Sequence, residues 1–267
     1  MQIEIQLLYS KITKKQDPVG KEQGNMDKWQ VLYYSQVDST NNVLKQMEAV
    51  EHGTVVHSTL QTAGRGRLGR SFSSQKGGLY LSVYLKREES LDRLLHLTPM
   101  VAVAVRRAIG EACGVDVQIK WINDLVKEGK KLCGILVEIA PQGGVIVGIG
   151  INCNTKDFPE ELRDIAGSLC DFCTEVDEEA LLQALIRNLQ EMDEVLFSHK
   201  AQWMEEYATH CVTLGKEVWL LRGETRRQAY AQAIDENGAL IVRLPDGTQE
   251  TVSSGEAGVR GMYGYSD

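Results

Sequence analysis

No stretch of this 267-residue chain approaches the ~20 consecutive apolar residues of a membrane span. Its opening, MQIEIQLLYSKITKK, has none of the sustained apolar run of a secretory signal. A cytoplasmic protein with no membrane attachment is expected from both absences. Positive charge is in short supply: 29 lysines and arginines face 37 acidic residues, for a net charge of −8 and a pI near 5.3. That balance argues against a general grip on nucleic acid or on a membrane surface. The six cysteines include one CxxC, Cys170 and Cys173, with no second pair or histidine cluster beside it. A zinc or redox site is therefore the weaker reading, and reduced thiols used as small core residues the stronger. Internal repeats and low-complexity tracts are also missing.

What is present suits a globular protein: 43% of the residues are hydrophobic and 25% charged. Residues 1–28 read as a polar extension or mobile arm, too short for a helix-turn-helix domain. In WQVLYYSQVDSTNNVLKQM a strand should run into a helix capped by Asp38, Ser39 or Thr40. TVVHSTLQ and LYLSVYL read as strands. Helical spacing runs from Leu91 to Cys113, with Pro99 expected to break or kink it and Gly114 to cap its end. VQIKW, KLCGILVEIA and GVIVGIGINCN are near-continuous apolar strands of a sheet covered by helices on at least one face. ALLQALIRNLQEMDEVL follows as an amphipathic helix capped by Asp177. Beyond Gly215 only short strands and turns remain. Asn237-Gly238 and Asp246-Gly247 are hairpin signals, so a small β-barrel is expected there. The divisions read as an extension over 1–28, an α+β body over 29–212 and a barrel over 213–267.

Three constellations could carry chemistry. AGRGRLGRSF, Ala63 to Phe72, packs three glycines and three arginines into seven residues of an acidic chain. Gly64, Gly66 and Gly69 relax the backbone, and Arg65, Arg67 and Arg70 offer planar forks for carboxylate or phosphate. The run is either a solvated turn or a loop made to close over an anion. It matches neither the GxxxxGK[ST] phosphate loop nor a Rossmann GxGxxG, since a strand rather than a helix follows. In KWINDLVKEGKKLCGILVE, Asn123-Asp124 should end a strand, Asp124 could help hold magnesium through oxygen, and Lys131 sits at a strand entrance. In GIGINCN two glycines leave one face of a strand bare, with Asn152 suited to an adenine edge or simply to packing.

VDSTNN, QTAGRGRLGRSF, KWINDL, KKLCGILVE, GIGINCN and SSGEAGVR occur in this order from Val37 to Arg260. Together they closely resemble the biotin protein ligase family. The resemblance implies a mixed-sheet catalytic domain like that of class II aminoacyl-tRNA synthetases, followed by an SH3-like barrel. It implies ATP-dependent formation of biotinyl-5′-AMP with Mg2+, then transfer of biotin to a lysine of a biotin carboxyl carrier domain. Fewer than 40 residues precede the first motif, so the likeness is to members that are ligases only, with no DNA partner, acting as a monomer or weak homodimer.

By the same matching, Arg67 and Lys131 would carry the chemistry. Ser39, Thr40, Asn41, Gln61, Arg65, Gly66 and Gly134 would join them around biotin. Gly64, Arg70, Phe72, Asn123 and Asn152 would serve the nucleotide with Arg67, and Asp124 the metal. Phe72 stands where the family has tryptophan, and Cys133 where a small residue such as alanine is usual. The rival readings are a lipoate or octanoate ligase of related fold, a biotin-responsive DNA-binding regulator and a passive biotin-binding module.

Overall fold

A computed structural model describes residues 29–222, 224–253 and 258–261; the extension read over 1–28 and the GlyGlu of SSGEAGVR lie outside them. The chain runs β1 (Gln30–Tyr34), α1 (Thr40–Gln46), β2 (Thr54–Ser58), β3 (Gly78–Leu85), α2 (Leu97–Cys113) and β4 (Gln118–Lys120). Then come β5 (Asp124–Lys127), β6 (Lys130–Ile139), β7 (Val145–Asn152), α3 (Glu178–Val195) and α4 (Lys200–Thr209). The last strands are β8 (Glu217–Arg222), β9 (Thr225–Ile234), β10 (Leu240–Arg243), β11 (Gln249–Val252) and β12 (Gly258–Gly261).

The first seven strands form one mixed sheet in the order β1-β2-β3-β7-β6-β5-β4. Only β1 and β2 pair in parallel; every other neighbouring pair is antiparallel. Alternation along β3 and β7 assigns the two faces. Leu79, Leu81, Val83 and Leu85 join Val145, Val147, Ile149 and Ile151 in the main core beneath α2. The opposite face is shared between α1, seated on Val56, Tyr84 and Ile146, and an open pocket. The segment Met100 to Val105 of helix α2 is apolar all round and fully buried, because α2 lies between the sheet and the outer helices α3 and α4. Asp177 caps α3 by accepting from the amides of Glu179 and Ala180, both at 3.0 Å.

Two local expectations are corrected. Pro99 neither breaks nor kinks a helix: Leu91–Leu94 is a separate 3-10 turn and α2 starts at Leu97. Pro99 thus occupies the first turn, where an amide has no intrahelical acceptor to lose. Asn123-Asp124 does not end a strand, because a turn spans 121–123 and Asp124 opens β5. Gly114 does terminate α2, with φ +64°.

The last five strands form an antiparallel sheet in the order β11-β10-β9-β8-β12. Gly238 (φ +85°) and Gly247 (φ +88°) take the left-handed conformation that their hairpin turns need. This sheet is tied to the larger one at β4. The Trp121 amide donates to Thr213 Oγ1 at 3.0 Å and its indole nitrogen to the Gly238 carbonyl at 2.9 Å. Lys200 Nζ reaches Asn237 Oδ1 at 2.8 Å.

Candidate active site

The pocket floor is a stretch of sheet stripped of side chains. Gly134 of β6 pairs with Gly150 of β7, and Gly148 sits one row further along the same face, paired with Leu136. A Cβ at Gly150 would meet the Phe72 ring at 2.6 Å, and one at Gly134 would meet it at 2.9 Å. The aromatic side chain from the Gly/Arg loop therefore lies directly on the bare floor. Its ring stands edge-on to Tyr80, with centroids 6.5 Å apart, and Lys131 Nζ is 5.5 Å from its centroid.

One wall is built at the start of α1. Ser39 is the N-cap residue, yet its hydroxyl makes no capping bond. Asp38 instead takes up the local donors, accepting from the Ser39 amide at 2.6 Å and from Asn42 Nδ2 at 2.8 Å. Ser39, Thr40 and Asn41 are all nearly buried and all line the pocket. Gln61 Oε1 accepts from the Thr40 amide at 2.8 Å, and its Nε2 donates to Ser74 Oγ at 2.8 Å, so the orientation of the amide is determined. Asn41 is held as firmly. Its Nδ2 donates to Glu138 Oε2 at 2.7 Å, Ser82 Oγ lies 2.5 Å from its Oδ1, and Lys45 Nζ donates to the same Glu138 carboxylate at 2.7 Å. Burial raises the affinity of Glu138 for a proton, but the bonds from Asn41 and Lys45 outweigh it and hold the carboxyl below its ordinary value.

The Gly/Arg loop forms the opposite wall. It closes on itself through Gly66 N to Arg70 O at 2.7 Å and Phe72 N to Gly64 O at 2.9 Å. Of its three glycines only Gly69 uses the left-handed region (φ +73°), beside Leu68 at φ +56°. Gly64 is needed for close approach instead, since a Cβ there would meet the Phe72 carbonyl oxygen at 2.5 Å. Arg65 reaches back to Asn42 Oδ1 at 3.3 Å, and Arg67 donates to Asn123 Oδ1 at 3.1 Å. Asn123 is itself fixed by Nδ2 donation to the Ile135 carbonyl at 2.8 Å. Burial draws the Arg67 guanidinium below its ordinary value, with the nearby Asp124 carboxylate opposing the shift. Lys131 pairs with Asp124 at 2.6 Å.

Of the residues expected at the site, Ser39, Thr40, Asn41, Gln61, Arg65, Gly66, Arg67, Arg70, Phe72, Asn123, Asp124, Lys131 and Gly134 line this one pocket. Gly64 and Asn152 do not. Asn152 is buried at the end of β7, where its amide donates to the Gly167 carbonyl at 2.9 Å and helps hold a loop rather than face the pocket. Cys133 is fully buried in the core and burial pushes its thiol far up, so it stays protonated. Sequence reading missed Lys120 and Trp121, which line the pocket from β4 and the turn after it, and Leu221 and Val259, contributed by the smaller sheet. It also missed Ser82 and Glu138, which fix the α1 wall from the neighbouring strands. For Lys120 the signal was present: it alternates with Ile119, which puts a lysine on the pocket face of a buried strand.

Comparison with known proteins agrees with this arrangement. Residues 32–155 match the model of the biotin/lipoate A/B protein ligase family, and residues 213–260 that of the biotin protein ligase C-terminal domain. The bifunctional ligase/repressor BirA of Bacillus subtilis is 32% identical over 246 residues, spanning 84% of this chain and 72% of that protein. The biotin–[acetyl-CoA-carboxylase] ligase of Paracoccus denitrificans is 28% identical over 80% of this chain and 95% of its own length. The biotin protein ligase of Aquifex aeolicus, solved with biotin and ATP, superposes with a TM-score of 0.76 at 32% identity, covering 86% of this chain and 98% of that one. By these matches over both sheets, the chain belongs to the biotin protein ligase family.

Proposed function

We propose that the pocket binds biotin and ATP side by side, joins them as biotinyl-5′-AMP with release of pyrophosphate, and delivers biotin to a lysine of a biotin carboxyl carrier domain. The observation that carries this reading is the sequence of chemistries along one cleft. A wall of oriented hydroxyls and amides leads onto an apolar floor without side chains, which leads to a cluster of cations.

Each part suits one part of the reaction. A ureido ring has one carbonyl acceptor and two N–H donors, and Ser39, Thr40, Asn41 and Gln61 supply matching groups. The acyl chain needs a flat apolar track, which Gly134, Gly148 and Gly150 form once the Phe72 ring moves aside. The carboxylate then meets an α-phosphate of the same charge sign. Arg67, oriented by Asn123, and Lys131, oriented by Asp124, lower that repulsion and stabilise the charge that builds at phosphorus. Because these cations are held before substrate arrives, little reorganisation is needed at the reacting step.

No cluster of three His, Cys, Asp or Glu side chains able to hold a metal occurs among the described residues. Magnesium fits here as an ion carried in on the nucleotide phosphates, with the Asp124 carboxylate as one further oxygen, and it would shield the phosphate charge. Phe72, released from the floor, would cover the adenylate. The Gly/Arg loop would then keep water from a mixed anhydride until the carrier lysine arrives.

Biotin-dependent exchange of labelled pyrophosphate into ATP tests the reading. Exchange with biotin but not with lipoate or octanoate is the expected result. Exchange driven by lipoate, or none at all with biotin, would refute it.

A further inference from the structure

The outer face of the smaller sheet carries a strip of side chains that the reading above does not use. Along β8, Val218 and Leu220 are buried in that sheet's own core, so Glu217, Trp219 and Leu221 point the other way. Leu221 lines the active pocket. On β9, Ala229 and Ala231 are buried, and the outward set is Arg226, Gln228 and Tyr230, paired in turn with Leu221, Trp219 and Glu217. Arg243 of β10 is exposed, pairs with Tyr230 and extends the same face. Two steps of two residues along β8 carry the strip roughly 14 Å away from the pocket.

Each aromatic ring of this strip holds an arginine. The Arg226 guanidinium lies 3.5 Å from the Trp219 ring centroid, and that of Arg243 lies 5.4 Å from the Tyr230 centroid. Neither arginine has a carboxylate partner among the described residues, whereas Arg227, on the other side of β9, pairs with Glu250 at 2.8 Å. Stacking leaves the edge of a guanidinium, where its N–H donors lie, open to a carboxylate. The strip's own carboxylate, Glu217, accepts from Gln228 at 3.0 Å. The face is thus aromatic and cationic in a chain of net charge −8. Trp, Tyr and Arg are the residue types enriched at the energetic centres of protein interfaces. Trp219, Arg226, Tyr230 and Arg243 lie outside the cavity lining, so a small molecule held in the cavity is not what they meet. The substrate that must stand at this rim is the protein whose lysine enters the pocket.

We propose that this strip docks the carrier domain: Trp219 and Tyr230 pack against its surface, while Arg226 and Arg243 bind carboxylates there and hold its lysine at the pocket mouth. The strip acts on transfer alone, because the adenylate forms before the carrier arrives. The proposal rests on the reading of the pocket as a biotin-activating site, and the wild-type exchange assay tests that reading separately.

The experiment compares the full chain with its Arg226→Glu/Arg243→Glu variant, both positions being exposed. One measurement is biotin-dependent ATP–pyrophosphate exchange. The other is transfer of biotin from supplied biotinyl-5′-AMP to a purified biotin carboxyl carrier domain over a range of carrier concentrations. Exchange should stay within about threefold of wild type. The carrier KM should rise about 10- to 100-fold, with transfer at saturating carrier within about threefold. Added salt should raise the wild-type carrier KM and change that of the variant much less. Should the double variant not fold, Arg226→Gln alone is read in the same way, with a rise of about three- to tenfold. A carrier KM within about threefold of wild type for the double variant, or equal losses in exchange and transfer, would overturn the assignment. So would altered sedimentation of the variant with its carrier KM unchanged, which would give the strip to a second copy of this chain.

Discussion

Glu138 offers the sharpest test of how the biotin wall is held, because it sits outside the pocket lining and acts through Asn41. Replacing it with alanine removes the acceptor of the 2.7 Å bond from Asn41 Nδ2 and the partner of Lys45. A hydrogen bond to a charged group contributes about 1.5–3 kcal/mol. The Lys45–Glu138 pair, with both side chains 21% exposed, adds at most about 1 kcal/mol more and acts on stability rather than on ligand. Partial solvent access favours the lower end for Asn41. About 1.4 kcal/mol of lost orientation corresponds to about a tenfold weaker grip on biotin. The expected result for Glu138→Ala is thus about a tenfold rise in the biotin Kd and KM, with kcat for adenylate formation within about threefold. Glu138→Gln should fall between, since its carbonyl still accepts from Asn41 while its amide N–H groups face the Lys45 ammonium. The carboxyl is held below its ordinary value of 4.5. The network is therefore complete above that pH and is lost as pH falls through the lower folded value. Wild-type biotin affinity should weaken along that acid limb, and Glu138→Ala should lack it. Titration calorimetry with biotin alone, set beside pyrophosphate exchange, reads both quantities. An unchanged biotin Kd in a folded Glu138→Ala protein would show that Asn41 needs no such support.

Arg67→Ala and Lys131→Ala should each slow adenylate formation by about 100- to 1,000-fold in single-turnover assays; near-normal formation by either would remove that residue from the chemistry. Gly150→Ala drives a methyl to 2.6 Å from the Phe72 ring. Once Phe72 has moved aside the same methyl stands on the floor that the acyl chain would occupy, so a cost of about 1–3 kcal/mol, typical of overpacking, should appear as weaker biotin binding, checked by the same calorimetry, whereas unaltered affinity would mean that the chain does not lie over Gly150. Limited trypsin digestion should cut near Arg65 to Arg70 in the unliganded chain and much less with biotin and ATP together. Equal cutting in both states would rule out closure of the loop over the adenylate.

Much of this architecture was legible from residues whose chemistry is local. Asp177 before an amphipathic run, Gly114 after a buried helix and the Asn-Gly and Asp-Gly turns each fix a backbone conformation by themselves, and each lies where the sequence pointed. Helix α2 misled because a proline reads alike as a breaker and as a first-turn residue; only the separate 3-10 turn before it distinguishes the two. Strand β5, DLVK, was too short and too charged to stand out, and it forms because β4 and β6 flank it. At the site, motif residues were visible, while those that orient them were not. Ser82 and Glu138 are ordinary strand residues until the register brings them beneath α1. Asn152 shows the reverse: an amide suited to adenine is used on the Gly167 carbonyl. Nothing in the residue type separates those two uses.

The indole of Trp121 both lines the pocket and donates to a turn of the smaller sheet, whose Leu221 and Val259 reach the same cavity. The two halves of the chain therefore share one interior, and neither is a detachable appendage. Cutting the chain after residue 212 would strip the tryptophan of its acceptor and open one end of the cleft to solvent. Heating should melt both halves in a single cooperative event, and a bound adenylate should raise the temperature of that event for the whole molecule at once.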